Sequence, residues 1–412
     1  MKRLGYTSKL YALYLAVLPM VSFYRLPGTS LAIATVLTLI MVLYALVIIF
    51  TKKIRVKFTI LLPFVLYLLY IMTMSPLLFA ILCGAVMIHT FAISTGVVNI
   101  QYLRKAIEFI SVLAAIVVIM QQVVHITTGI HISPYFGSLF TEGMYDAYGS
   151  AVETGMSKVS RMYRPCAFFL EPSHFAQYCM IGLGSCLFAQ ESNFRKALLI
   201  SFGILASTSG MGIVIVVAMW AFWGLTIKRA AGSLKTVNNS KIVYQSFGVV
   251  VFLFVSYFIM DNINITHEAM VRVTSDSGVE SNAITGRLFW WDTYFGNTSL
   301  SDYIRGYGLE ALPDERYFTG FMKQLYCFGI TGVFLLFCFL IRLIFISDNF
   351  GRSCCALYMS LIFFSELTGY FHLIFYVGIF LTLYVNHQII AKNHNVATLH
   401  YNYITNRSYL KS

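Results

Sequence analysis

Apolar runs separated by short polar breaks fill most of the chain. Runs at 10–24, 29–50, 58–74, 77–95 and 106–126 come first. A polar stretch, 127–172, precedes runs at 173–188, 197–209, 211–227 and 243–260, and a second, 261–320, precedes 321–346, 353–364 and 371–390. Most runs have roughly the length that crosses a bilayer as a helix. The pattern predicts an all-α, polytopic helical membrane protein in a single integral membrane unit, residues 1–412. Met1-Lys2-Arg3 before an apolar run resembles a secretory leader, but 19–25 lacks a small-x-small cleavage pattern, so the run is expected to be the first span.

The runs 197–209 and 353–364 are short, and hydropathy alone leaves them ambiguous. Charge decides between the alternatives. Arg195-Lys196 and Lys228-Arg229 flank 197–227; if both clusters stay in the cytoplasm, the segment goes out and returns, turning at Ser207-Thr208-Ser209-Gly210. The same logic applies between Arg342/Arg352 and Lys392, with 365–370 as the hairpin. The expected count is then about twelve transmembrane helices, with both termini cytoplasmic and the long loops 127–172 and 261–320 on the outer face. Each cytoplasmic loop in this arrangement carries Lys or Arg.

Composition agrees with that class. Hydrophobic residues make up 58% of the chain and charged residues only 11%, against roughly a quarter charged in soluble domains. The net charge of +12 sits in short clusters between apolar runs, a positive-inside pattern rather than a nucleic-acid surface. The eight cysteines mostly fall within apolar runs without C-x-x-C spacing, as small core residues do.

The candidate chemistry lies in the two long loops. Thirteen of the seventeen acidic residues fall there, and six of the seven basic ones (Lys158, Arg161, Arg164, Arg272, Arg287, Arg305, Arg316) are arginine. A guanidinium offers phosphate a planar, bidentate fork that lysine lacks. The first loop ends in Arg161-Met162-Tyr163-Arg164-Pro165-Cys166-Ala167-Phe168-Phe169-Leu170-Glu171-Pro172-Ser173-His174, which brings cations, a carboxylate and an imidazole to the start of a helix, with Pro172 suited to its first turn. In the second loop Thr285-Gly286-Arg287 precedes Phe289, Trp290 and Trp291, an expected interfacial helix with an arginine at its start, where phosphate is favoured. Arg305-Gly306-Tyr307-Gly308 adds a flexible turn carrying another cation. His125, His131 and His267 lack metal-ligand spacing with nearby carboxylates, so neither metal nor cofactor is expected.

These motifs resemble those of the O-antigen and capsule polysaccharide polymerases (Wzy type), within the O-antigen ligase and polymerase superfamily. Residues 164–174 are similar to the family's arginine, aromatic pair and Glu-Pro segment entering a helix, and Thr285-Gly286-Arg287 is similar to its outer-loop Gly-Arg element. Residues 207–210 look like its Ser-rich break between short spans, although the arginine usual there is absent. The resemblance in layout covers nearly the whole chain.

The resemblance implies a membrane glycosyltransferase of polysaccharide, capsule or lipopolysaccharide biosynthesis in the bacterial cytoplasmic (inner) membrane. It would transfer a growing glycan from undecaprenyl pyrophosphate to another lipid-linked oligosaccharide repeat unit at the outer face, with membrane lipid and a chain-length regulator protein as partners. The chemistry of the loops fits on its own account. A lipid pyrophosphate leaving group needs fixed cations, for which Arg164 and Arg287 are expected, supported by Arg161, Arg272 and Arg305. Trp290 and Trp291 offer faces for sugar rings. The acceptor hydroxyl needs a base, either Glu171 or His174, the alternative role of His174 being a hydrogen-bond partner of Glu171. Two rival readings are a lipid-linked oligosaccharide flippase, which would concentrate charge inside the spans, and the O-antigen ligase of the same superfamily.

Overall fold

The computed structural model describes residues 2–27, 29, 31–130, 132, 163–188, 193–233, 298–312 and 318–409. These are mostly helical and contain no strand; an isolated bridge joins Arg25 and Ala32. The helices are α1 (Lys2–Val21), α2 (Ile33–Thr51), α3 (Phe58–Thr73), α4 (Leu77–Ser94), α5 (Ile100–Thr128), α6 (Pro172–Leu187), α7 (Phe194–Ala206), α8 (Gly210–Ser233), α9 (Leu300–Arg305), α10 (Gly320–Ile346), α11 (Asn349–Leu361) and α12 (Tyr370–Tyr409). Polar breaks stop them as the pattern predicts: Asn99, Asn193, Ser299, Thr319 and Asp348 cap α5, α7, α9, α10 and α11 through their side chains. Gly129 ends α5 in the left-handed conformation, φ 70°.

Among the described residues, five stretches are long and apolar enough to cross a membrane: α2, α4, α5, α10 and Tyr370–Ile390 of α12. They mark a membrane protein. Thr7–Val21, α3 and Gly210–Thr226 are apolar but shorter. The helices α7 and α11 have thirteen residues each, about 20 Å at 1.5 Å per residue, against a hydrocarbon core of about 30 Å. The expected run 243–260 lies outside the described residues, as do 133–162 of the first long loop and 261–297 and 313–317 of the second.

The helices gather around one large core, with a smaller apolar cluster at Phe318, Met322 and Leu325. Neighbours in the bundle are α3 with α10 and α4, α4 with α12 and α2, α5 with α6, α7 and α1, and α6 with α7 and α8. Large apolar side chains such as Phe50, Leu77, Phe109 and Phe345 point outward and are exposed; a surface of this kind suits lipid rather than water. Small residues allow close approach where α5 meets its partners. A Cβ on Gly203 would stand 2.5 Å from Ala115 Cβ, and one on Gly182 would stand 2.6 Å from Ser111 Cβ, the small-on-small packing typical of helices in lipid.

Buried polar groups tie helices together in two places. Between α1, α2 and α4, Tyr11 meets His89 Nδ1 at 2.5 Å, His89 Nε2 meets the Thr38 carbonyl at 3.3 Å, and Tyr14 meets Thr38 Oγ1 at 3.0 Å. Between α5, α6 and α7, Arg104 donates to Ser185 Oγ (3.0 Å) and to the Ser185 carbonyl (2.8 Å). Ser185 in turn donates to Glu108 Oε1 (2.6 Å), and Lys196 lies 3.5 Å from Glu108 Oε2. The Arg104 guanidinium also stands over the Phe350 ring, bringing in α11. Removing the hydroxyl should therefore weaken the α5–α6 junction and loosen the two charged groups, Arg104 and Glu108, that reach α11 and α7. Ser185→Ala is expected to cost about 2 kcal/mol, since both bonds involve charged groups, and a thermal melt of the purified protein checks it; an unchanged melting temperature would mean that the lock is idle.

The turn between α7 and α8 departs from expectation in one respect. Ser207, Thr208 and Ser209 are buried, with Thr208 at φ 57° and the Ser207 hydroxyl donating to the Ile204 carbonyl at 2.6 Å. The sequence suggested an exposed hairpin tip; instead the Ser207 hydroxyl bonds the end of α7 and Ser209 Oγ accepts from the Gly212 N–H at the start of α8 (3.2 Å). Thr208 Oγ1 is buried with no partner among the described residues, and exposure begins at Gly210.

Candidate functional site

One end of the bundle collects the C-terminal end of α5 and the N-terminal ends of α6, α10 and α12. Gln121 of α5 organises the entry to α6. Its amide donates to the Ile132 carbonyl at 2.8 Å and accepts from the Ala167 N–H at 2.9 Å, so one side chain holds both sides of the first long loop. Tyr163 adds a bond to the Ile132 carbonyl (3.2 Å) and stacks on His125 with centroids 4.4 Å apart. Burial pushes the Tyr163 phenol up to about 12 and raises that of Tyr24, with Cys166 a lesser cause in both. Both hydroxyls stay protonated at neutral pH, and that of Tyr163 serves as a structural donor.

The chain reverses at Ala167, a buried residue at φ 52°, an uncommon conformation for a residue with a Cβ. Phe169 N–H closes the turn on the Cys166 carbonyl at 3.0 Å. Helix α6 then begins as predicted, with Glu171 in the N-cap position, Pro172 in the first turn and His174 as its third residue. The Glu171 carboxylate accepts from Ser173 Oγ at 2.8 Å. Arg164 is half-buried ten residues before His174. The structure thus brings Arg164, Glu171 and His174 into one short segment at the head of α6.

His174 faces a cavity of about 40 Å³ between α1, α6 and α12. Phe23, Phe169 and Phe371 supply apolar walls and Gln177 and His372 polar ones. Glu171 does not line it. Around the cavity the polar groups are interlocked: Gln177 donates to Ser365 Oγ at 2.7 Å and Tyr376 donates to the Gln177 carbonyl at 3.1 Å. Beside them Lys323 of α10 is paired with Glu366 in the turn before α12, the side chains 19% and 39% exposed.

Arg305 occupies a different part of this end. It closes α9, and its carbonyl accepts from Tyr70 of α3 at 2.6 Å. The following Gly306-Tyr307-Gly308 segment lies along α10, where Tyr307 and Gly308 N–H donate to the Tyr326 and Cys327 carbonyls at 2.9 and 2.8 Å. At that point α10 is broken by Gly329, φ 61° and ψ −170°. Arg161, Arg272, Arg287, Trp290 and Trp291 lie outside the described residues.

Sequence reasoning missed His372. A signal for it existed: His174 and His372 are each the third residue of a helix that starts from the same end, so a twelve-span reading already put both rings at one depth. The Lys323–Glu366 pair was also missed, because Lys323 sits inside an apolar run. No protein-family model matches the chain, and a comparison with curated proteins finds none significantly similar to it.

Proposed function

We propose that this chain is a polysaccharide polymerase of the bacterial cytoplasmic membrane. It joins undecaprenyl-pyrophosphate-linked oligosaccharide repeat units by glycosyl transfer at the outer face. The observation that carries the reading is the head of α6, where Arg164, Glu171 and His174 fall within eleven residues of one another in sequence and His174 lines a small, largely apolar cavity. A lipid pyrophosphate arrives at the membrane surface, where this segment ends the first long loop. Fixed guanidinium groups there stabilise the charge that develops as the glycosyl–phosphate bond breaks, and Arg287 of the second loop joins Arg164 in that task.

The proposed topology has twelve spans, with both termini cytoplasmic. The thirteen-residue helices α7 and α11 count as spans because their turns are buried in protein, where irregular backbone is tolerated at membrane depth. Gly210, exposed and with open space around it, is the site to test this. In Gly210→Cys a membrane-impermeant maleimide is expected to label from the outer face, against a low background because seven of the eight native thiols are buried. Labelling from the cytoplasmic face would overturn the count.

The function itself is tested by reconstituting the purified protein with a lipid-pyrophosphate-linked repeat unit from its host and resolving the glycans by size. A ladder extending beyond one repeat is expected. Unchanged single repeats that become protected from an external glycosidase would mean transport, and single-step transfer only onto a lipid A core acceptor would mean the ligase.

A further inference from the structure

The turn between α2 and α3 carries four cations in six residues, Lys52, Lys53, Arg55 and Lys57. It lies at the end of the bundle away from the head of α6: Thr35 ties the start of α2 to Tyr370 at the start of α12 at 2.8 Å, and α2 runs from there to the other end. The turn is pinned in place. Arg55 N–H donates to the Ser94 carbonyl of α4 at 2.8 Å and Val56 is buried. The Arg55 side chain lies against Gly96, where a Cβ would stand 3.4 Å from both its Cδ and its Nη1. Arg342 of α10 adds a fifth cation, reaching the Thr59 carbonyl at the start of α3.

Among the described residues no carboxylate pairs with any of the five. At the same end of the bundle, by contrast, Lys196 has Glu108. Lys52 is half-buried, and burial, with the neighbouring Arg55 as the lesser cause, lowers the pKa of its ammonium. Orientation in a membrane calls for cations on one side of it; it does not call for two of them close together with one half-buried. That arrangement is unfavourable unless an anion lies between them. Phe50, Ile54 and Phe58, next to the cations, are exposed. Charge beside bare apolar surface matches an anionic phospholipid, which offers phosphate to the one and acyl chains to the other. Inorganic phosphate would use the cations and leave the rings uncovered.

We propose that the α2–α3 turn binds an anionic phospholipid, its phosphate seated between Lys52 and Arg55 and its acyl chains along Phe50 and Phe58. Arginine meets the phosphate with a two-pronged fork and lysine with a point charge, while Lys53, Lys57 and Arg342 supply the surrounding field. The inference needs the membrane reading and not the polymerase one. In the twelve-span topology the lipid belongs to the cytoplasmic leaflet.

The test is native mass spectrometry of the detergent-purified full chain titrated with phosphatidylglycerol or phosphatidylcholine. Phosphatidylglycerol is expected to form its first adduct at a concentration about tenfold or more below that needed by phosphatidylcholine. Lys52→Gln/Arg55→Gln is expected to weaken that adduct by about tenfold or more, with Lys53 and Lys57 left to keep the orientation. Lys228→Gln/Arg229→Gln, which removes another basic pair, is expected to leave it within about twofold of wild type. Equal adducts from the two lipids would overturn the site in favour of a general lipid shell, and equal losses in the two double variants would overturn it in favour of net charge. Displacement of phosphatidylglycerol by inorganic phosphate would overturn the lipid as ligand. An adduct within about twofold of wild type in Lys52→Gln/Arg55→Gln would remove the site altogether. Should that variant melt well below wild type, Lys52→Gln alone, which leaves Arg55 against Gly96, decides: a loss of about threefold or more supports the site and an unchanged adduct overturns it.

Discussion

Gly329→Ala is expected to abolish accumulation of folded protein. Gly329 breaks α10 at φ 61°, ψ −170°, a region of backbone space that is essentially glycine's own. Strain is only half of the problem. A Cβ on Gly329 would run into the Ile304 carbonyl oxygen and lie 2.7 Å from Gly306 N, and a Cβ on Gly306, itself at φ 82°, would lie 2.5 Å from the Cys327 carbonyl carbon. Both obstacles are backbone, which cannot rotate aside. The contact is also where Tyr307 and Gly308 N–H satisfy carbonyls of the interrupted helix, so separating the two segments leaves buried acceptors unpaired. Strain and overpacking together set a cost of about 3 kcal/mol or more, a large share of the stability of a typical domain. The reference is Gly224→Ala, a helical position with open space around it, where a change of up to about 1 kcal/mol in the stabilising direction is expected. Monodispersity on size exclusion and the melting temperature, measured for both variants, decide the matter. Equal behaviour of the two would mean that the kink is not a requirement of the fold.

Arg164→Lys and Arg287→Lys are each expected to lose polymer formation by about 100-fold or more, although the positive charge is kept. A guanidinium presents two parallel N–H groups to two phosphate oxygens, whereas an ammonium meets one point at a time. The loss should fall on kcat more than on donor KM, because charge on the bridging oxygen grows as the bond breaks. The head of α6 is held by Gln121 and by the Ala167 turn rather than by this guanidinium alone, so Arg164→Lys should melt near wild type. Full activity in either variant would remove that arginine from the clamp.

Much of the fold was legible in the sequence. Apolar runs at 197, 321 and 353 began within four residues of the observed helix starts, because in lipid an apolar stretch must satisfy its own backbone as a helix; α5 starts six residues before its run at 106. The head of α6 was legible for the same reason: Pro172 has no N–H to lose in a first turn. The break in α10 was not, since Gly329 lies in an uninterrupted apolar run and only its contact with Gly306 gives it meaning. Nor was the burial of Ser207 to Ser209, because the Ser207 and Ser209 hydroxyls, which bond to helix ends, read in sequence as a polar tip. His372 escaped attention for a different cause. Its partner ring lies 198 positions away in sequence, 372 minus 174, and only the shared depth of two helix starts joins them.

Gln121 has an evolutionary corollary. By gripping Ile132 on one side and Ala167 on the other, a single amide fixes the two attachment points of everything between them, whatever that insert contains. Closing a longer insert between fixed posts costs little, about 0.6 kcal/mol for each doubling of its length. Residues 133–160 can thus change in length at little cost to the helices beneath, while Arg161 and Arg164, next to the second post, are held to the role proposed for them.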